Sequence, residues 1–286
     1  MTPPTDRICL VIPYYEAGED LVDSLASVRL EPTDLIIVVD DGSRRCPARD
    51  LVPEAVGDTP LRLIELARNS GITAALRAGI SNAPPDFALI ARLDCGDTCH
   101  PERFTKQRDF LLGHRDIALV GSWVDFVSPD GSFLYRLEQP ARPSAVRRRM
   151  RVNCAITHPA AMFRREAYDH AGGYPMSYPA AEDYGLFAQM LATSEAANIP
   201  QVLVRCRTGD GGISENRRRT QLVSRCRILL RHFDGHPMAV YGILRAVVQL
   251  ATPRRWSTRA HQIRVGLAGR RSSGREGDTT DQADPS

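Results

Sequence analysis

The 286-residue sequence has no apolar run long enough to span a bilayer, no Gly-x-Gly-x-x-Gly after its first apolar segment, and no P-loop. The first absence leaves a soluble or peripheral protein, and the other two argue against a dinucleotide oxidoreductase and a P-loop nucleotidase. Net charge is only +3, so global charge does not imply nucleic-acid binding. The seven cysteines are odd in number and lack Cys-x-x-Cys spacing, which argues against a disulfide framework and leads to the expectation of reduced thiols in the cytoplasm. Cys95 and Cys99 flank an acidic turn, yet there is no second pair to complete a zinc site. Met1 to Arg7 is polar with two prolines, unlike a secretory leader.

What is present is a series of apolar runs that stop at polar turns. Leu35-Ile36-Ile37-Val38-Val39 has no polar alternation, which predicts a strand covered on both faces, and it ends at Asp40-Asp41-Gly42-Ser43. In open α/β sheets, ligands bind just beyond the carboxyl ends of such strands. Adjacent carboxylates are costly unless solvated, hydrogen-bonded or facing a cation or donor-rich ligand. The pair therefore marks either a ligand crevice or an Asp-Gly turn with a capping serine. Phe87 to Leu93 ends at Asp94-Cys95-Gly96-Asp97, Ile8 to Ile12 at Pro13-Tyr14-Tyr15-Glu16, and Leu61 to Leu66 at Ala67-Arg68-Asn69-Ser70-Gly71. Helical patterns cover Gly18 to Leu30 and Ile72 to Ile80, and Pro101-Glu102-Arg103-Phe104 opens another. Strand and helix alternate from residue 8 to about residue 113, predicting βαβ crossovers and a mostly parallel sheet. The length suits one large α/β core with an extension.

Taken in order, these blocks resemble the inverting GT-A glycosyltransferases of family 2, which use nucleotide-diphosphate sugars. The likeness covers roughly residues 7 to 215 and continues through His158-Pro159-Ala160-Ala161-Met162-Phe163-Arg164, Gly172-Gly173-Tyr174 and Glu182-Asp183-Tyr184-Gly185-Leu186. It implies an α/β GT-A fold, a Rossmann-like, mostly parallel central sheet with flanking helices and a C-terminal helical extension. The expected organisation is a catalytic domain over 1–215, a basic helical extension over 216–271 and a disordered acidic tail over 272–286. The implied activity is transfer of a sugar, from a UDP-sugar in the first instance, to a glycan or lipid-linked acceptor in cell-surface polysaccharide biosynthesis.

The resemblance also assigns roles. Asp183 is the expected catalytic base, at the start of a helix after a glycine-rich loop; the alternative is that Glu182 and Asp183 complement a helix N-terminus. For the nucleotide sugar, the resemblance implies Pro13, Tyr15, Glu16, Asp40, Asp41, Arg68, Asn69, Arg92, Asp94 and Arg207, with Tyr15 against the base and Asp40 or Asp41 accepting from base or ribose. Arg68 and Arg92 suit anionic oxygen, though either could bridge Asp41 or Asp94 instead. Arg205, Arg207 and Ser214 flank the Gly209-Asp210-Gly211-Gly212 loop, placed like the family's mobile segment over the diphosphate. The family usually shows Asp-x-Asp-Asp at the acidic turn, but here Gly96 stands where the metal-holding aspartate would be. A Mg²⁺ or Mn²⁺ cofactor then falls to Asp97, with His158 as a further ligand. His158 could equally line the acceptor pocket or satisfy a core carbonyl.

From Arg217 to Arg271 there are thirteen arginines and one acid, Asp234. Within this basic stretch, Met238 to Leu250 is an apolar helical pattern edged by arginines and Trp256, suited to packing on the catalytic domain, to an anionic membrane surface, or to both. The expected location is cytoplasmic, peripheral at the inner face of the cell membrane. Two other readings stand beside the transferase: a degenerate member that binds nucleotide or a partner without turnover, favoured by Gly96, and a basic binding module. The second lacks any nucleic-acid motif, so no nucleic-acid partner is expected.

Overall fold

The computed structural model describes residues 5–208 and 217–252. In chain order the strands are β1 (Thr5–Tyr14), β2 (Leu35–Asp40), β3 (Ala55–Val56), β4 (Thr59–Glu65), β5 (Phe87–Arg92), β6 (Thr98–Cys99), β7 (Ile117–Val127), β8 (Phe133–Leu137), β9 (Met162–Arg164) and β10 (Glu195–Arg207). The helices are α1 (Glu19–Ser27), α2 (Ile72–Asn82), α3 (Arg103–Gly113), α4 (Pro143–Met150), α5 (Arg165–His170), α6 (Glu182–Met190), α7 (Arg218–Arg231) and α8 (Pro237–Ala251).

The strands form one sheet in the order β3-β4-β2-β1-β5-β9-β7-β10-β6, with β8 added on β7. β4, β2, β1 and β5 are parallel, as are β7 and β10. The short β9 runs antiparallel to both β5 and β7, which sets those two parallel to each other. All six strands of six residues or more therefore point the same way, and their carboxyl ends line one edge. The order reverses at β1: β2 lies on one side of it and β5, reached through β4 and α2, on the other. Such a switch point opens a crevice for a ligand.

The apolar runs explain the layers. Alternate residues of β1 and β2 face opposite sides, Val11, Ile37 and Val39 joining one apolar cluster and Leu10, Ile12, Ile36 and Val38 the other. Every residue of β2 is buried, as expected of a strand covered on both faces. α2 lies close on β1 and β2 because Gly79 has no side chain there; a Cβ would come within 2.5 Å of Val11 Cγ1. Ile228 and Leu229 of α7 and Ala246 of α8 join the core cluster that holds α6, so the C-terminal helices complete the domain. The 215/216 boundary, the Gly209–Gly212 loop with Ser214, and the acidic tail lie outside the described residues.

Candidate functional site

Three loops at the carboxyl edge are fastened by carboxylates. Asp40 accepts the backbone N–H of Ser43 and of Ala48, both at 2.8 Å. Asp41 accepts those of Ser70 and Gly71, both at 2.7 Å. Glu16 accepts the amides of Arg44 at 2.8 Å and Cys46 at 2.9 Å, and these bonds to the backbone hold its carboxyl below the ordinary range. Gly42, at φ 76°, closes the assembly: a Cβ would sit 2.5 Å from the Arg68 carbonyl carbon. Asp40 and Asp41 are buried and bound to the backbone, so their carboxylates shape the crevice. Beside them Tyr15 is half exposed, and Arg68 and Asn69 stand in solvent on the loop after β4; Pro13 is partly buried in β1.

The other side of the crevice is built around Arg92, the last residue of β5, 2% exposed. Its carbonyl accepts Nη2–H of the fully buried Arg103 at 2.6 Å. Its guanidinium pairs with Asp94 through Nη2, while Nε and Nη1 have no hydrogen-bond partner among the described residues. α6 begins opposite with Glu182, buried and with Oε2 unpartnered, and Asp183, partly exposed. Burial first, then the neighbouring Asp183, pushes Glu182 up to about 7. Burial also raises Asp183, against the pull of the Tyr184 amide and the Arg92 charge. Arg92 thus favours the ionised form of two acids that burial disfavours. His158 shares a 2.8 Å hydrogen bond between Nε2 and the Tyr174 hydroxyl, and burial followed by the Arg92 charge holds it well below its ordinary pKa, as a neutral ring.

The residues expected to hold a divalent cation make contacts within the protein. Asp97 accepts the Arg207 amide at 2.9 Å and a bond from the Cys206 thiol, both on β10, and burial followed by Asp94 raises it to about 7. His158 is committed to Tyr174. Among the described residues, no three His, Cys, Asp or Glu side chains converge as metal ligands. Gly96 is at φ 95°, and a Cβ there would face Asp20 of α1 at 3.6 Å from Oδ2. Asp94 keeps about a third of its side chain exposed, at 35%. Arg207, expected at the nucleotide sugar, has its guanidinium on Asp20 and Asp23 of α1. Arg103 and Tyr174 also support the site, and Arg103 carries one sequence signal, Gln107 four residues on, whose Oε1 accepts its Nε–H at 3.1 Å.

A parallel sheet with a switch-point crevice, and carboxylates gathered about a buried arginine at the strand ends, defines a GT-A-type glycosyltransferase fold. The model for glycosyl transferase family 2 matches residues 9–172, over half of the chain. The chain belongs to that family and is a glycosyltransferase. It is 28% identical over 206 residues to the amylovoran biosynthesis glycosyltransferase AmsE of Erwinia amylovora, covering 71% of this chain and 76% of that one. It is also 28% identical to the UDP-Gal:alpha-D-GlcNAc-diphosphoundecaprenol beta-1,3-galactosyltransferase of Escherichia coli, covering 61% and 62%. Among solved structures, S. aureus TarS 1-349 in complex with UDP-GlcNAc superposes with TM-score 0.64 at 13% identity, over 85% of this chain and 72% of that one. The mannosyltransferase PcManGT of Pyrobaculum calidifontis with GDP-Man and Mn²⁺ gives 0.58 at 17%, over 92% and 75%. At those identities the structures establish the fold.

Proposed function

We propose that the protein is an inverting glycosyltransferase that moves a sugar from a UDP-sugar to a glycan or lipid-linked acceptor in cell-surface polysaccharide assembly, with Asp183 as base. The observation that carries this reading is the placement of Asp183, partly exposed on the first turn of α6, within the electrostatic reach of Arg92 and Asp94 at the sheet's carboxyl edge. Asp183 takes the acceptor hydroxyl's proton as the oxygen bonds to the anomeric carbon. The bond to the diphosphate breaks on the opposite face, so the configuration inverts. Burial makes Asp183 a stronger base than a solvated carboxylate, while the Tyr184 amide and then Arg92 favour its ionised form. Tyr15 offers an exposed aromatic face to the nucleobase, in the crevice whose walls Asp40, Asp41 and Glu16 fasten. No step is assigned to a cation, since the expected ligands are engaged elsewhere. The UDP-GlcNAc of the TarS complex and the diphosphoundecaprenol acceptor of the Escherichia coli relative support this donor and acceptor class, and a lipid-linked acceptor is what would hold the enzyme at the inner face of the membrane.

The test is Asp183→Asn, assayed for donor binding and for transfer with a panel of UDP-sugars. Donor affinity is expected to stay within about twofold while transfer falls about 10²–10⁴-fold. Turnover within a few-fold of wild type would move the base to Glu182. A second reading, nucleotide binding without turnover, is favoured by Gly96 and by the engagement of Asp97 with β10. Calorimetric UDP binding with no transfer by the wild-type chain would select it.

A further inference from the structure

α8 is apolar on two opposite sides. Its inner face is made of the small buried residues Ala239, Gly242 and Ala246, with Ile243 partly buried against the core beside them. A Cβ on Gly242 would come 2.1 Å from the Arg151 carbonyl oxygen, so small residues are what let the helix lie down on the domain. Its outer face carries the large ones: Val240, Tyr241, Leu244, Val247 and Val248 are 44–60% exposed. Arg245, the helix's one charged residue, is partly buried between the two faces. A helix that is apolar all round is ordinarily covered on all sides. This one leaves a ridge of large side chains uncovered by any described residue. Its partner α7 exposes Val223 and Leu230 together with Arg219, Arg227 and Arg231.

We propose that the outward ridge of α8 seats in the headgroup boundary of an anionic bilayer, with the exposed arginines of α7 on lipid phosphates. This deepens the membrane-side location proposed above and rests on it for the identity of the membrane. The chemistry of the surface selects lipid: exposed apolar side chains on one helix of the packed pair and exposed guanidinium groups on the other match the acyl boundary and the anionic headgroups. A second copy of this chain meeting face to face would bring two arginine-rich helices together, which opposes that occupant. The 272–286 segment has no large apolar side chain, and 253–271, which has Trp256, Ile263, Val265 and Leu267, also carries six arginines and no acid, a composition suited to the same anionic surface. Insertion is shallow, because no described helix is long and apolar enough to cross a membrane.

Co-sedimentation of the full chain with phosphatidylcholine vesicles, with and without phosphatidylglycerol, tests this in the absence of donor and acceptor. Wild type is expected to sediment with the anionic vesicles, and Leu244→Glu/Val248→Glu to lower the bound fraction about tenfold or more, with melting temperature and oligomeric state unchanged. Arg227→Glu/Arg231→Glu is expected to weaken binding at low salt and to leave less for added salt to remove. Unchanged sedimentation of the glutamate variant overturns the proposal. So does a large loss of melting temperature without vesicles, which would mean that the ridge is already buried, or a wild-type dimer that the variant turns into monomer. A wild type that binds vesicles but transfers no sugar upholds the surface and rejects the transferase reading.

Discussion

The two sides of the crevice use the same residue types for opposite ends. On the β2 side, Glu16, Asp40 and Asp41 each bind at least two backbone amides. On the β5 side, Glu182 leaves Oε2 unpartnered, Arg92 leaves two nitrogens unpartnered, and burial raises both acids of α6. A carboxylate saturated by amides is framework: its charge is already neutralised by geometry. A desolvated, under-bonded carboxylate is held in a state that a proton or ligand can relieve, which is the condition for chemistry. Hydrogen-bond saturation, more than residue identity, separates the two.

The sharpest way to break this contrast is to exchange the consequences. Asp183→Asn is expected to cut transfer about 10²–10⁴-fold, while the melting temperature holds or rises because a carboxylate that desolvation disfavours is gone. Asp41→Ala is expected to do the reverse, costing about 2–4 kcal/mol of stability in a denaturant titration because two part-buried backbone bonds to a buried charged acceptor are lost together. A stable Asp41→Ala protein that merely binds donor poorly would erase the distinction.

Glu182 provides a pH test. Its carboxyl is raised from the ordinary 4.5 to about 7, so between those values the folded chain holds a proton that the unfolded chain has lost. The Glu182 contribution therefore makes stability fall as pH rises from about 4.5 towards about 7, and flatten above. Glu182→Gln is expected to remove that slope and to exceed wild type at pH 8 by on the order of 1 kcal/mol. Parallel curves for the two proteins would show that Glu182 is ionised throughout. Gly96→Asp should have an effect of similar size, about 1–2 kcal/mol of destabilisation from the positive φ, and its side chain would face Asp20. A gain in Mn²⁺ affinity, read by calorimetry, would show instead that position 96 faces a cation.

The strand ends were legible because buried parallel strands write themselves as unbroken apolar runs. Leu35 to Asp40 and Phe87 to Arg92 fall where the sequence predicts, and α6 opens at the Glu182-Asp183 pair. The partners of the acids were not legible. Asp41 binds Ser70 and Gly71 across 29 and 30 residues, and Asp97 binds Arg207 across 110; nothing local separates such an acid from one that meets a ligand. The Asp-Asp-Gly-Ser segment resolves as both open alternatives at once, a turn that lies at the crevice. In α8 the surprise is steric: residue size decided which side faces the core, so the largest apolar side chains lie outside.

Ser224 of α7 donates to the Pro179 carbonyl at 2.9 Å, three residues ahead of Glu182, and the Tyr184 hydroxyl holds the Met150 carbonyl on the other side of α6. For anyone trimming or recombining this enzyme, this is a rule about length. The match to the family model ends at residue 172, short of both α6 acids and of the serine that steadies their approach. A shortened chain that stops before α7 keeps most of the sheet and loses the brace beneath the acids. Chimeras should therefore inherit α6 and α7 from one parent, because the two helices are a single inherited part.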